Sequence, residues 1–480
     1  GPNGGAKRQG QTGPCGSASP ERIIAAVAFR REGRIERGES MPATVIVGCQ
    51  WGDEGKGKIV DYLSGRMDWV ARYSGGPNAG HTVKLGGEIF VLHLIPSGIL
   101  RPGIRCVIGN GVVLDIDHLL EEINSLEKRG VGVLGRVFLS GAAHIIFPYH
   151  RWVEELQRQD VRVGTTRRGI GPAYQDKMGR NGIRLLELLD RRWLRERLDG
   201  ELARVETLHA AYGRPMPQSR QEARETWSRH FSSVAAFLEP MIADTVTLLQ
   251  DALDRGERVL CEGSQGTFLD IDLGTYPFVT SAPTTAGGAA TGLGLAPRQL
   301  TKVIGIAKAY TTRVGNGPMP TEFAPALADR FRRQAGEFGA TTGRPRRCGW
   351  LDLVLLRHAV RVNGIQEVCL TKLDVLRGFR SLKIATAYRR GRRTLRTPPL
   401  DAREWNDCRP VYRSMKGWSE PVTGARAWKE LPAAARDYVE GIEESIGAPI
   451  RILSLGPGRE STFPMPKVRS TGKGIAARRR

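Results

Sequence analysis

The chain has 480 residues, 40% apolar and 25% charged, with a formal net charge of +22. That length supports a large core, and no apolar run approaches the roughly 20 residues of a membrane-spanning helix. Seven cysteines (15, 49, 106, 261, 348, 369 and 408), odd in number and without a C-x-x-C pair, fit a reduced cytoplasmic protein better than a disulfide framework or a zinc site.

The positive balance raises nucleic-acid binding as a class, so its distribution matters. Residues 1–40 carry +3 and residues 466–480 carry +6, leaving +13 spread thinly over 41–465. No basic patch interleaved with aromatics accompanies it, whereas a fold that binds several phosphates and carboxylates can use such an excess.

In chain order, "GPNGGAKRQGQTGPCGSASPER" is poor in large apolar residues and rich in glycine, which reads as disordered. "IIAAVAF" (23–29) is short, closed by Arg30-Arg31 and lacks a small-residue cleavage site, so it does not read as a signal peptide. Met41 stands directly before the first strand-like run and is the expected start, which makes 1–40 a disordered or non-native extension. The far end, 466–480, reads as a basic solvated tail.

Between these ends, β-branched runs recur and close on glycine or polar residues: "ATVIVGCQWG", "RCVIGNG", "RVLCEGSQG", "EVCLTKLD" and "IRILSLGPG". Helical spacing lies between some of them, at 117–130 and 350–364. The pattern predicts an α/β fold in one domain, 41–465: a large, mainly parallel central sheet with helices on both faces and loop or helical insertions. Ligands of such sheets bind beyond the carboxyl ends of the strands, where the polar loops gather.

The first such loop is "GDEGKGKIV" (52–60). Gly52, Gly57 and Lys58 fit the phosphate-binding frame G-x-x-x-x-G-K, but Ile59 stands where that frame has a magnesium-holding hydroxyl. Its glycines let backbone N–H groups approach phosphate, and Lys56 and Lys58 add charge. Asp53 is the oxygen donor available in the loop, as a metal ligand or as a base. In "YSGGPNAGHT" (73–82), Asn78 and His81 lie in a glycine-rich turn, although a lone histidine is more often a surface or core residue. "VGTTRRGIGPAYQDKMGR" (163–180) carries Thr165, Thr166 and three arginines, either an anion grip or a solvated basic loop.

Further along, Gln265 in "EGSQGTFLDIDLGTYPFVTSAPTTAGG" follows a strand and can bond a base or sugar. "EFGATTGRPRRCGWLD" clusters Arg344, Arg346 and Arg347, whose planar forks suit carboxylate or phosphate. "CLTKLDVL" places Lys372 and Asp374 after a strand, close to the N/T-K-x-D arrangement of guanine binders: Asp374 can accept from guanine N1–H and its amine, with Lys372 along the base face.

These strings, with "GCQWGDEGKGKIVD", "LHLIPSGIL", "IGNGVVLD", "TTAGGAATG" and "SLGPGR", occur in the order seen in adenylosuccinate synthetases, and the chain resembles that family over roughly 41–459. The resemblance implies a homodimeric, magnesium-dependent α/β ligase, with one ion per subunit. Such an enzyme condenses IMP with L-aspartate at the expense of GTP, through 6-phosphoryl-IMP. It implies Asp53 as the base that takes the N1 proton of IMP and as a magnesium ligand beside the Gly80 carbonyl. It also implies His81 as the general acid of phosphoryl transfer, with Lys56 and Gln265 completing the catalytic set. The GTP site would comprise Gly52, Asp53, Glu54, Gly55, Lys56, Gly57, Lys58, Gly80, His81, Thr82, Arg346, Lys372, Leu373, Asp374, Ser454, Leu455 and Gly456. IMP would meet Asp53 through Lys56, Asn78, Ala79, Gly80, His81, Thr166, Gln265, Thr280 and Arg344, with Arg180 lent by the neighbouring subunit. Aspartate would lie on Ala340, Thr341, Thr342, Gly343, Arg344, Pro345 and Arg346. No nucleic acid or membrane is implied as partner.

The chain departs from the family's usual residues at Pro77, Arg167, Leu455 and Gly458. An arginine at position 167 would cost about 1–2 kcal/mol if the backbone there has positive φ. Two other classes compete. A P-loop GTPase switch shares the Lys372/Asp374 signal but not the Ile59 position or a D-x-x-G switch loop. A basic nucleic-acid binder accounts for the charge alone.

Overall fold

In the computed structural model, which describes residues 43–157, 164, 166–339 and 343–466, all five quoted runs are strands of one ten-stranded sheet. The strands are β1 (Thr44–Gly48), β2 (Trp69–Arg72), β3 (Arg105–Ile108), β4 (Val137–Ser140), β5 (Ile242–Ala243), β6 (Val259–Glu262), β7 (Lys302–Lys308), β8 (Glu367–Thr371), β9 (Ile450–Ser454) and β10 (Thr462–Pro464). Their spatial order is β10-β9-β8-β7-β1-β6-β2-β3-β4-β5. Every pairing is parallel except β9 with β10, an antiparallel edge. The expected architecture is therefore present. The readings of 1–40 and of the tail beyond 466 lie outside the described residues.

Near-continuous apolar strands are what a sheet covered on both faces demands. Val45 and Val47, Trp69 and Ala71, and Val259 and Cys261 point into one buried cluster. Their neighbours Ile46, Val70 and Leu260 enter another on the opposite face, with Ile304 and Ile306 of β7. The period of two along each strand splits the core in this way.

Helices complete the layers. The pattern at 117–130 is the helix Ile116–Lys128, capped by Asp115, whose side chain accepts from His118 N at 3.2 Å. The pattern at 350–364 begins later than its periodicity implies, at Leu353, because Asp352 accepts from Val354 N and Leu355 N and so holds the preceding residues extended. An inserted helical hairpin, Arg191–Ala211 and Arg220–Leu238, adds Leu198, Leu202, Trp227 and Phe231 to the second cluster. A four-stranded sheet, built around Ser381–Arg390 and Arg409–Lys416, stands apart from the main one.

Parallel strands finish on one edge, so the loops after β9, β8, β7, β1, β6 and β2 come together there. The strands supporting them tolerate little loss of packing. Ile306, fully buried in β7, is expected to cost about 2–5 kcal/mol when changed to alanine. A urea titration of Ile306→Ala reads this as a lower midpoint with unchanged slope.

Candidate active site

The loop after β1 ends in Gly55, which has φ 87° and precedes the helix Lys56–Ser64 without any side-chain cap. The first-turn N–H groups of that helix are thus left for a ligand, an arrangement suited to phosphate. Glu54 is turned inward. Its carboxylate is fully buried and accepts from Gln50 N and Gly52 N at 3.0 Å each and from Lys56 Nζ at 2.6 Å. Its side chain therefore shapes the loop, leaving only its backbone for nucleotide. A Cβ at Gly48 would come within 2.5 Å of that carboxylate, which explains the glycine. Lys58 reaches across the site to Ser454 Oγ and the Gly456 carbonyl, both at 2.7 Å. Burial lowers its pKa to about 8.

Asp53 has φ 58° and a side chain 31% exposed. Arg346 clasps it bidentately, through Nε at 2.8 Å and Nη2 at 3.0 Å. The third guanidinium nitrogen, Nη1, bonds Glu337 at 2.6 Å.

His81 opens the hairpin strand His81–Leu85 and is buried against the phosphate loop: a Cβ on Gly57 would lie 2.6 Å from the His81 Cβ. Its Nδ1 is in a short contact with Glu262, the last residue of β6. Glu262 also accepts from Ser97 N and Oγ, each at 2.8 Å. Burial opposes ionisation of Glu262, but His81 and the Ser97 N–H outweigh it and hold the carboxyl below its usual range. Arg72, buried at the end of β2, donates to the Gly76 carbonyl at 2.8 Å and sets the turn that carries Asn78, Ala79 and Gly80. Gln265, with φ 50°, donates to Asn78 Oδ1 at 3.2 Å, while its own Oε1 is buried without a partner.

On the other side, Lys372 follows β8 with φ 58°, and its Nζ lies 2.7 Å from Glu337. Asp374 accepts from Gly456 N at 3.1 Å, and burial raises its pKa. Leu373 and Leu455 are buried supports. Thr371 Oγ1 bonds the Glu54 carbonyl at 2.7 Å, tying the end of β8 to the phosphate loop.

The remaining expected residues stand further out. Thr82 and Thr166 are exposed, Thr280 and Arg344 are half-buried, and Gly343 and Pro345 are exposed. Arg180 is exposed at the C-terminal end of the helix Ile170–Gly179 with φ 63°. Among the described residues no hydrogen bond joins Arg180 or Thr280 to Asp53, His81 or Gln265. Thr165, Ala340, Thr341 and Thr342 lie outside the described residues. Arg167 does take positive φ, 57°, whereas Gly458 has an ordinary φ of −82° but stands where a Cβ would run into Glu460 Oε1. Glu262 and Glu337 were not singled out from the sequence. A carboxylate closing an apolar parallel strand was a signal for Glu262; nothing local marked Glu337.

Known proteins resemble the chain over most of its length. The family model for adenylosuccinate synthetase matches residues 45–463. The adenylosuccinate synthetase of Moorella thermoacetica is 50% identical over 427 residues, 88% of this chain and 99% of that protein. That of Acidothermus cellulolyticus is 47% identical over 428 residues, again 88% and 99%. A solved structure of fully ligated adenylosuccinate synthetase from Plasmodium falciparum matches with a TM-score of 0.82 at 35% identity, covering 88% of this chain and 99% of that one. A cyanophage S-2L succinoaminodeoxyadenylate synthetase, 21% identical with a TM-score of 0.56 over 89% of this chain and 97% of that one, shares the fold. With a family model over most of its length and relatives near half identity, the chain belongs to the adenylosuccinate synthetase family.

Proposed function

We propose that the chain performs the reaction of its family, the GTP-driven ligation of IMP and L-aspartate to adenylosuccinate, in the first committed step of AMP synthesis. The observation that carries this reading is the meeting of Asp53, His81, Gln265, Lys372 and Asp374 around an uncapped helix N-terminus. The oxygen on C6 of IMP is a poor leaving group, so it is first phosphorylated. Asp53 takes the N1 proton, charge moves to O6, and O6 attacks the γ-phosphorus as GDP departs. The aspartate amine then forms its bond to C6, and the C6–O bond breaks with release of phosphate. Positioning and charge stabilisation dominate such transfers.

His81 has its Nδ1 engaged by Glu262, which leaves Nε2 as the nitrogen to assist the transferring phosphoryl group. Lys56, Lys58 and the first-turn N–H groups cradle phosphates. Gln265 Oε1, a buried acceptor without a protein partner, suits a donor on the purine of IMP. Asp374 and Lys372 read guanine. Arg344 and Arg346, with their loop, take the carboxylates of aspartate.

Among the described residues no group of three or more His, Cys, Asp or Glu could hold a metal ion. Magnesium needs none, because it binds one or two carboxylates and keeps water and phosphate oxygens. Asp53 fits this role, since the Arg346 guanidinium already occupies a cation position against both its oxygens. The Gly80 carbonyl would be the second protein donor. When bound, the ion would neutralise charge on the GTP phosphates.

Arg180, exposed on a stretch of chain that also exposes the apolar Met178 and Leu186, suits a site completed by a second copy of the chain. The six described cysteines are free and buried, which supports a place in the reducing cytoplasm.

Three outcomes test this reading. IMP carrying heavy oxygen at C6 should pass that label to inorganic phosphate in every turnover; label appearing in water would overturn the phosphoryl intermediate. Glu262→Gln should lower kcat at least ~10-fold while leaving the KM values little changed, because it disorients His81 rather than removing a substrate contact. Arg180→Leu and Asp53→Ala subunits, each nearly inactive alone, should on mixing recover up to about a quarter of wild-type activity through statistical pairing. Absence of recovery despite demonstrated exchange would confine Arg180 to its own subunit.

A further inference from the structure

Glu337 is a buried carboxylate on which three cationic side chains converge. It follows the helix Pro325–Ala335 and the turn at Gly336, which has φ 62°. Its backbone pairs with Arg346, Arg346 N donating to the Glu337 carbonyl at 3.0 Å. The side chain, with no solvent exposure, receives Lys308 Nζ at 2.9 Å and Lys372 Nζ at 2.7 Å on Oε1, and the Tyr310 hydroxyl on the same oxygen. Arg346 Nη1 bonds Oε2 at 2.6 Å. Burial resists this ionisation, yet Lys308, Lys372 and Arg346 hold the carboxyl well below its ordinary range.

The three cations are not equivalent. Lys308 is fully buried at the end of β7 and donates also to Thr312 Oγ1 at 2.5 Å. One carboxylate would suffice to accommodate it. Lys372 and Arg346 keep side-chain exposures of 30% and 10%, and Arg346 carries the chain of contacts on to Asp53. Glu337 and Asp53 together set two negative charges against three positive ones, so one positive charge is left over where anionic substrates arrive. The carboxylate determines where that surplus stands.

We propose that Glu337 is a positioning residue for nucleotide recognition: it holds the Lys372 ammonium and the Arg346 guanidinium in one arrangement, so that the guanine end of the site and the Asp53 loop are set by the same side chain. This rests on the assignment of Lys372 and Arg346 to the GTP site. A carboxylate serving only to neutralise Lys308 would affect stability and nothing substrate-specific.

The test uses the full chain with Glu337→Gln, Glu337→Asp and Lys372→Met. GDP binding is read by titration calorimetry, KM values by steady-state kinetics, and folding by thermal melts. In folded Glu337→Gln the dissociation constant for GDP and the KM for GTP should both rise ~10-fold or more, as for a lost charge-assisted contact. Glu337→Asp, which keeps the charge, should restore part of the loss, whereas a carboxylate with a purely structural role would move the melting temperature and leave GDP binding unchanged. Wild-type GDP binding in Glu337→Gln, with loss in Lys372→Met, would overturn the positioning role and leave the GTP site where it is. Undiminished binding in Lys372→Met would place guanine elsewhere and overturn both. If Glu337→Gln does not fold, the cycle of Glu337→Asp with Lys372→Met decides. Non-additive effects on GDP binding support the role, and additive effects overturn it.

Discussion

Six neighbouring strands, β9, β8, β7, β1, β6 and β2, run parallel and deliver their next residues to one edge of the sheet. The site depends on that edge. β1 supplies the phosphate loop, β2 the turn before Asn78, β6 the Glu262 and Gln265 pair, β8 Lys372 and Asp374, and β9 Ser454 through Gly456. Because both faces of the sheet are buried, the strand ends cannot shift without repacking two cores. That rigidity is what lets short loops hold a multi-substrate geometry.

The loops themselves carry strain. Among the described residues five non-glycine residues have positive φ: Asp53, Arg167, Arg180, Gln265 and Lys372. Each costs roughly 1–2 kcal/mol relative to an ordinary backbone, and all five lie in the loops that the reaction is proposed to use. Such strain persists where surrounding contacts over-determine it, and it aims a side chain that an unstrained turn would point elsewhere. The contacts are visible here: Arg346 on Asp53, Asn78 on Gln265 and Glu337 on Lys372.

Three fully buried glutamates perform related tasks. Glu54 draws the phosphate loop and Lys56 together, Glu262 fixes His81, and Glu337 gathers Lys308, Lys372 and Arg346. An isolated buried carboxylate would be neutral; Glu262 and Glu337 are held ionised by donors in the same site. The excess of basic residues spread over the domain is thereby partly explained, since cations held inward by carboxylates still face the substrates' phosphates and carboxylates.

Five of the ten sheet strands, the parallel α/β class and the loops worth inspecting followed from the sequence alone, because β-branched runs closing on glycine report local backbone preference and two-sided burial. The order of long motifs carried the family. What stayed illegible were the partnerships. Glu262 meets His81 across 181 positions and Arg346 meets Asp53 across 293, and neither pairing leaves a periodic or compositional trace. The inward turn of Glu54 was equally hidden, since a glutamate in a phosphate loop reads as exposed until the backbone is seen to wrap around it. Local chemistry, being a property of neighbouring residues, was determined by the sequence itself. Which charge stands beside which was decided only by the tertiary structure, because that is a matter of which strands lie side by side.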